Sequence, residues 1–123
     1  MKNDKSKFKN EFKGRVYRFV LEVIGFVEQL PKGHVSNVIG GQLLRSATSI
    51  GANVIEAKSA SSNKDYINFF THALKSANET KFWLGLLRDS SKAEREATDR
   101  LLKEVTELSN ILATSILTLK GKK

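Results

Sequence analysis

Apolar side chains recur at steps of three and four along four successive stretches of the chain, and each stretch stops where turn or capping chemistry begins. Phe8, Phe12, Val16, Phe19, Val20, Val23, Val27 and Leu30 mark one face of a first helix, which Pro31-Lys32-Gly33 ends. A second stripe runs from about Val35 to Ala60 through Val38, Ile39, Leu43, Ala47, Ile50, Val54 and Ala57. Ser62 with Asp65 resembles a capping box with the shorter acid, and opens a third helix through Tyr66, Phe69, Phe70, Ala73, Leu74, Ala77, Leu84 and Leu87 to about Arg88. Ser91 with Glu94 makes a Ser-x-x-Glu box ahead of a fourth stripe, Ala97, Leu101, Val105, Leu108, Leu112, Ile116 and Leu119. Short connections force neighbouring helices to run antiparallel. The predicted fold class is therefore all-α, an antiparallel up-down-up-down four-helix bundle over residues 8–119. Residues 1–7 are left as a basic, flexible N-terminal tail and 120–123 as a basic C-terminal tail.

The second helix is unusual in its small residues: Gly40, Gly41, Ser46, Ala47, Ser49 and Gly51. Each helical Gly costs about 0.8–1 kcal/mol relative to Ala, so close approach of a neighbouring helix is the expected compensation. If helices two and three pair about the turn at 61–63, Arg45 lies level with Glu79, and Asn53 level with Phe70. Arg45, Asn53, Glu56 and Glu79 are accordingly read as polar residues that fix register or a subunit contact, because a lone buried charge is costly. On that reading, removal of Arg45 destabilises the fold more than removal of Arg88.

Composition narrows the class without changing this picture. A chain of 123 residues, 40% hydrophobic and 28% charged, matches one soluble domain. Absence of Cys excludes disulfides, thiolate metal sites and a Cys nucleophile, and fits a reducing compartment, so the expected location is cytoplasmic. Glu22 and Glu28 interrupt the apolar run after the basic N-terminus, which argues against a signal peptide. No segment approaches the ~20 apolar residues that span a bilayer, and no membrane partner is expected.

Charge does change the picture, through its position. The net charge is +8, yet residues 19–119 carry eleven positive and eleven negative side chains. Seven Lys or Arg stand against Asp4 and Glu11 in the first 18 residues, and three more lysines close the chain. Up-down topology gathers both ends of the chain and the loop after Ala60 at one end of the bundle. Lys7, Lys9, Lys13, Arg15, Arg18, Lys58, Lys64, Lys120, Lys122 and Lys123 are thus candidates for binding phosphate backbones, since clustered lysine gains affinity by counterion release. The cations early in the first helix sit against its macrodipole, which invites a functional reading, although lysine-rich termini also serve only solubility. Phe69, Phe70 and Trp83 fall on or beside core stripes. Tyr66, near Lys64 at the basic end, is the exception kept as a base-stacking candidate, beside the reading of a core contact with an exposed hydroxyl.

Catalytic chemistry finds little support. A di-iron bundle needs two Glu-x-x-His motifs, whereas His34 and His72 are the only histidines and neither follows a Glu by three. The Arg-then-His helix of HEPN-type ribonucleases is missing too, as are Walker, GxSxG and HExxH motifs. No enzyme, metal or cofactor is expected.

Gln42, Leu43, Arg45, Ser46, Ala47, Ser49, Ile50, Ala52, Asn53 and Glu56 match a Gln-Leu-x-Arg-(Ser/Ala)-Ala-x-Ser-Ile-x-Ala-Asn-Ile-Ala-Glu-Gly pattern. Ser76, Glu79 and Phe82-Trp83-Leu84 follow. In these residues the chain resembles the four helix bundle family, also called 23S ribosomal RNA intervening-sequence proteins, over about residues 12–119. It departs at Val54, Ile55 and Ala57, and Lys58-Ser-Ala-Ser-Ser62 replaces the family's Gly-Arg-x-Ser-type turn. The resemblance implies a bundle that assembles into a homo-oligomeric ring, often a pentamer. It also implies kinship with the accessory proteins of diversity-generating retroelements, which associate with reverse transcriptase and nucleic acid.

Two readings follow. In the first, a non-catalytic oligomer binds RNA or DNA non-specifically through its basic end. In the second, an adaptor docks a protein partner through the surface near Phe82, Trp83 and Leu86, and the lysines only keep it soluble.

Overall fold

The computed structural model describes the backbone of residues 4–121 and the side chains of residues 10–121. Four helices, α1 (Asp4–Glu28), α2 (His34–Ala57), α3 (Asn63–Asp89) and α4 (Arg95–Leu119), follow one another with no strand among the described residues. Each packs backbone to backbone on its neighbours in the cycle α1, α2, α3, α4, and the diagonal helices α1 and α3 meet through side chains such as Phe12 and Phe70, whose rings lie 6.2 Å apart. This is the up-down-up-down bundle. No helix among the described residues is long and apolar enough to cross a membrane.

The first helix starts earlier than the apolar stripe suggests, at Asp4, and so takes in residues 4–7. Nothing stops it: no Pro or Gly precedes Gly14, and an Asp in the first turn suits the helix dipole. At the α2–α3 turn, Ser62 Oγ accepts from the Asp65 N–H at 3.0 Å, while Asp65 Oδ2 accepts from the Ser61 N–H at 3.1 Å. The box is therefore closed one residue further back than the usual arrangement.

The expected Ser91–Glu94 box does not form. Glu94 occupies the N-cap of α4 without a side-chain hydrogen bond, and Ser91 instead ends α3 in a left-handed conformation at φ 60°. There the Lys92 N–H reaches back to the Leu87 carbonyl at 2.9 Å and the Ser91 N–H to that of Arg88 at 3.1 Å. The serine does the work usually given to glycine at a helix C-terminus.

Phe12, Val16, Phe19 and Val23 of α1 meet Leu43, Ala47, Ile50 and Val54 of α2, Phe70, Ala73, Ala77, Leu84 and Leu87 of α3, and Leu101, Val105, Leu108 and Leu112 of α4 in a single core. Val35 and Val38, expected on the inner stripe, are exposed. Ser36 and Gly40 take the inward positions at that end. The reason is the close approach of α1: a Cβ on Gly40 would lie 3.0 Å from Leu30 Cδ1. Gly41, by contrast, has nothing within 4 Å and Gly51 has only ordinary contacts, so close packing explains one glycine of the three.

The α2–α3 interface is the most extensive, and small hydroxyl side chains run through it. Ser46 Oγ and Thr80 Oγ1 lie 2.8 Å apart, fully buried. Thr80 also donates to the Ser76 carbonyl at 2.8 Å, and the Ser76 hydroxyl donates to Ser49 Oγ at 2.8 Å. Asn53 Nδ2 donates to the Ser49 carbonyl at 2.9 Å. At the solvent edge, Arg45 Nη2 donates to Glu79 Oε2 at 2.9 Å. Glu56 joins none of this: it is exposed and has no side-chain partner among the described residues.

These contacts favour Arg88 over Arg45 as the stronger contributor, against the expected ranking. The Arg45–Glu79 pair is about half exposed, whereas Arg88 is 26% exposed and donates to Asp89 at 2.9 Å and across to Asp99 of α4 at 2.8 Å. Exposed pairs contribute little.

Replacement of Ser91 by Gly should raise stability by about 1 kcal/mol, because the left-handed conformation no longer opposes a Cβ. Urea unfolding of the two proteins measures it, and an unchanged or lower midpoint would contradict this account of the turn.

Candidate nucleic-acid interface

Bundle topology brings the start of α1, the end of α2, the start of α3 and the end of α4 to one end of the molecule. Asn63 Nδ2 fastens two of them by donating to the Leu119 carbonyl at 3.1 Å, one of the carbonyls a helix end leaves unpaired. Lys58 and Lys120 are the C-caps of α2 and α4, where the helix dipole favours a cation. Lys64 lies in the first turn of α3, without that help, and Lys13 points inward from α1.

Between these ends lies a cavity of about 740 Å³. Phe12, Val54, Ala57 and Phe70 form its apolar part, with Tyr66 beside Phe70 at 4.8 Å between ring centres. Asn10, Ser61, Ser62, Asn63, Thr114, Ser115 and Thr118 give it a neutral polar part, and its charged lining residues are Lys13 and Lys58. The neighbouring Lys58 side chain, together with slight desolvation and mutual repulsion, holds Lys13 below the ordinary lysine value. Neither lysine has an ion pair among the described residues. Two lysines and no carboxylate among the lining residues give this cavity a positive edge.

A cavity of similar size, about 780 Å³, opens at the opposite end beside Phe26 and Leu101. Its lining mixes Glu22 and Glu94 with Lys92 and Arg100, so it presents no net preference for either sign.

The remaining basic candidates divide. Lys64 and Lys120 are exposed at the basic end, whereas Arg18, also exposed, lies past the midpoint of α1 and so away from it. Lys7 and Lys9 belong to α1, but their side chains lie outside the described residues, as do Lys122 and Lys123 altogether. Arg15 is withdrawn from the group. Its guanidinium donates to both Glu104 oxygens, at 2.7 and 2.8 Å, and to Glu107, binding α1 to α4. The charge-assisted contact pushes Arg15 further up and holds Glu104 below the ordinary carboxyl range, against a smaller effect of burial. Register could have revealed the pairing, since Arg15 lies eleven residues into α1 and Glu107 twelve before the end of α4.

Thr114, Ser115 and Thr118 were not anticipated as site residues. Their signal was present as hydroxyl residues along the last turns of a helix otherwise closing on Ile and Leu. Both histidines are exposed, and among the described residues no group of three His, Cys, Asp or Glu is placed to hold a metal.

Comparison with known proteins was informative at the level of family and fold. The sequence pattern of the family described as 23S rRNA-intervening sequence protein matches residues 9–114. The crystal structure of a protein of unknown function from the S23 ribosomal protein family of Bacteroides thetaiotaomicron superposes with a TM-score of 0.82. It is 36% identical, over 88% of this chain and 96% of that one. No protein of curated function matches.

The fork from Arg15 to α4 should contribute about 1–2 kcal/mol, as hydrogen bonds between charged groups do. Glu104 titrates lower when folded than when unfolded, so its stabilisation is complete above the ordinary value of 4.5 and fades as pH falls through the depressed folded value. The gap in unfolding free energy between the native protein and Arg15→Gln should therefore be widest near pH 7 and narrow steadily below about pH 4. A gap independent of pH would contradict the assignment.

Proposed function

The chain belongs to the 23S rRNA-intervening sequence protein family, and from that premise we propose that it is a non-catalytic, cytoplasmic protein that binds RNA or DNA through phosphate contacts at its basic end. The observation that carries the reading is the Lys13–Lys58 pair, held at the mouth of a cavity with no acidic residue in its lining. Lys64 and Lys120 extend the same positive end, where exposed Glu56 stands outside the cavity lining and the Asp65 carboxylate accepts from the Ser61 N–H. Self-association into a ring, which the family resemblance implies, belongs to the proposal because it would repeat this surface and multiply its avidity. Exposed histidines, and among the described residues no grouping of three His, Cys, Asp or Glu, support a binding rather than a catalytic role.

An adaptor reading has one observation in its favour. Phe82 is 57% exposed on α3 beside exposed Leu86. An apolar patch of this kind suits a protein surface, including the reverse transcriptase that the resemblance suggests.

Binding of a labelled oligonucleotide across a salt series separates the two. The affinity should fall steeply with salt, and Lys58→Gln with Lys120→Gln should flatten the log–log slope by about one to two units, close to one per lost phosphate contact. Absence of binding at about 50 mM salt, where such contacts are strongest, would give the adaptor reading precedence.

A further inference from the structure

Phosphate binding needs only a charged surface, yet the basic end also holds a recess. We propose that this recess takes one unpaired nucleotide of a strand, its base lodged against Tyr66 and Phe70 and its phosphate held by Lys13 and Lys58; the inference rests on the nucleic-acid reading above.

Size permits it. A cavity of about 740 Å³ falls within the range that encloses small ligands. Its chemistry is divided as a nucleotide is divided. Phe70 is buried, Tyr66 is half-buried beside it, and burial raises the Tyr66 phenol, which marks this wall as poorly hydrated and suited to a planar ring. The cationic edge is free of carboxylates, unlike the cavity at the opposite end.

The α4 wall supplies the third part. Thr114, Ser115 and Thr118 make no side-chain hydrogen bond among the described residues, and all three line the recess. Their hydroxyls remain available to a sugar or a base edge, each able to donate and accept.

A paired base cannot enter such a recess, because its faces are covered by neighbours in the stack. Electrostatics alone would favour the duplex, whose charge density is higher. Preference for a single strand is therefore a signature that surface lysines cannot produce.

The test compares a labelled ten-nucleotide single strand with a blunt duplex of the same sequence, with adenosine monophosphate as competitor. The full chain should bind the single strand about tenfold more tightly than the duplex, as one stacked base provides, and the monophosphate should compete with the strand. Thr114→Leu with Thr118→Leu fills the recess without altering charge or adding a ring. That variant should lose the preference and keep duplex affinity and its salt slope. Equal binding of both ligands by the native protein, or a preference that survives the filled recess, would overturn the pocket and leave the phosphate-binding reading intact. Binding of neither ligand at low salt would overturn both. If the variant unfolds by circular dichroism, the native single-strand preference and the monophosphate competition decide the matter without it.

Discussion

The hydroxyl seam between α2 and α3 is the contact on which the rest of the molecule depends. Leucine and valine faces pack in several registers at similar cost, whereas each hydroxyl contact between the helices, worth about 0.5–1.5 kcal/mol beyond the bonds Ser46 and Thr80 make to carbonyls of their own helices, is made in one of them. The Ser46–Thr80 and Ser49–Ser76 contacts, each 2.8 Å, are satisfied in one alignment of the two helices. Small side chains here also let the backbones approach, which is why the most extensive interface is also the least bulky. A slip of one turn would separate both pairs and move the start of α3 along the end of α2. The basic cavity, built from those two ends with α1 and α4, inherits its geometry from this alignment.

Electrostatics at the two ends of the bundle is then a matter of which charges are already answered. Arg15 is answered by Glu104 and Glu107, and Arg88 by Asp89 and Asp99. Lys58 and Lys120 are partly answered by the carbonyl ends of α2 and α4, which stabilises their position without neutralising them. Lys13 faces Lys58 and is left with repulsion. Placing a second cation beside the first is unfavourable unless something negative completes the set, and this imbalance, more than the net charge of +8, is what makes this end the candidate site.

Much of this was legible in the sequence. The four stripes located the helices, and the turn at 61–63 was enough to set Arg45 against Glu79. Charge counting located the basic end because up-down topology fixes which helix termini meet. Misreadings came where two local signals compete. Ser91 and Glu94 have the spacing of a helix start, but Ser91 is taken by the end of α3, so tertiary closure of that turn decides its role. Val35 and Val38 continue the apolar period of α2, yet Leu30 packs over Gly40 and rotates the inner face toward Ser36. Glu56 shares a motif with Arg45 and Asn53 without sharing their contacts, since the motif runs along the helix and the seam ends before its last turn. The cavity itself could not be read from the chain, because it arises from four termini that are distant in sequence.

The claim that the basic end receives a nucleic-acid strand is tested most directly by mapping the bound surface with backbone amide chemical shifts during titration with a short single strand. The account predicts shifts at Lys13, Lys58, Asn63 to Tyr66, and Thr114 to Thr118, with the Phe26 and Arg100 end unaffected. Shifts centred on Phe82 and Leu86, at the opposite end, or at no position would contradict it.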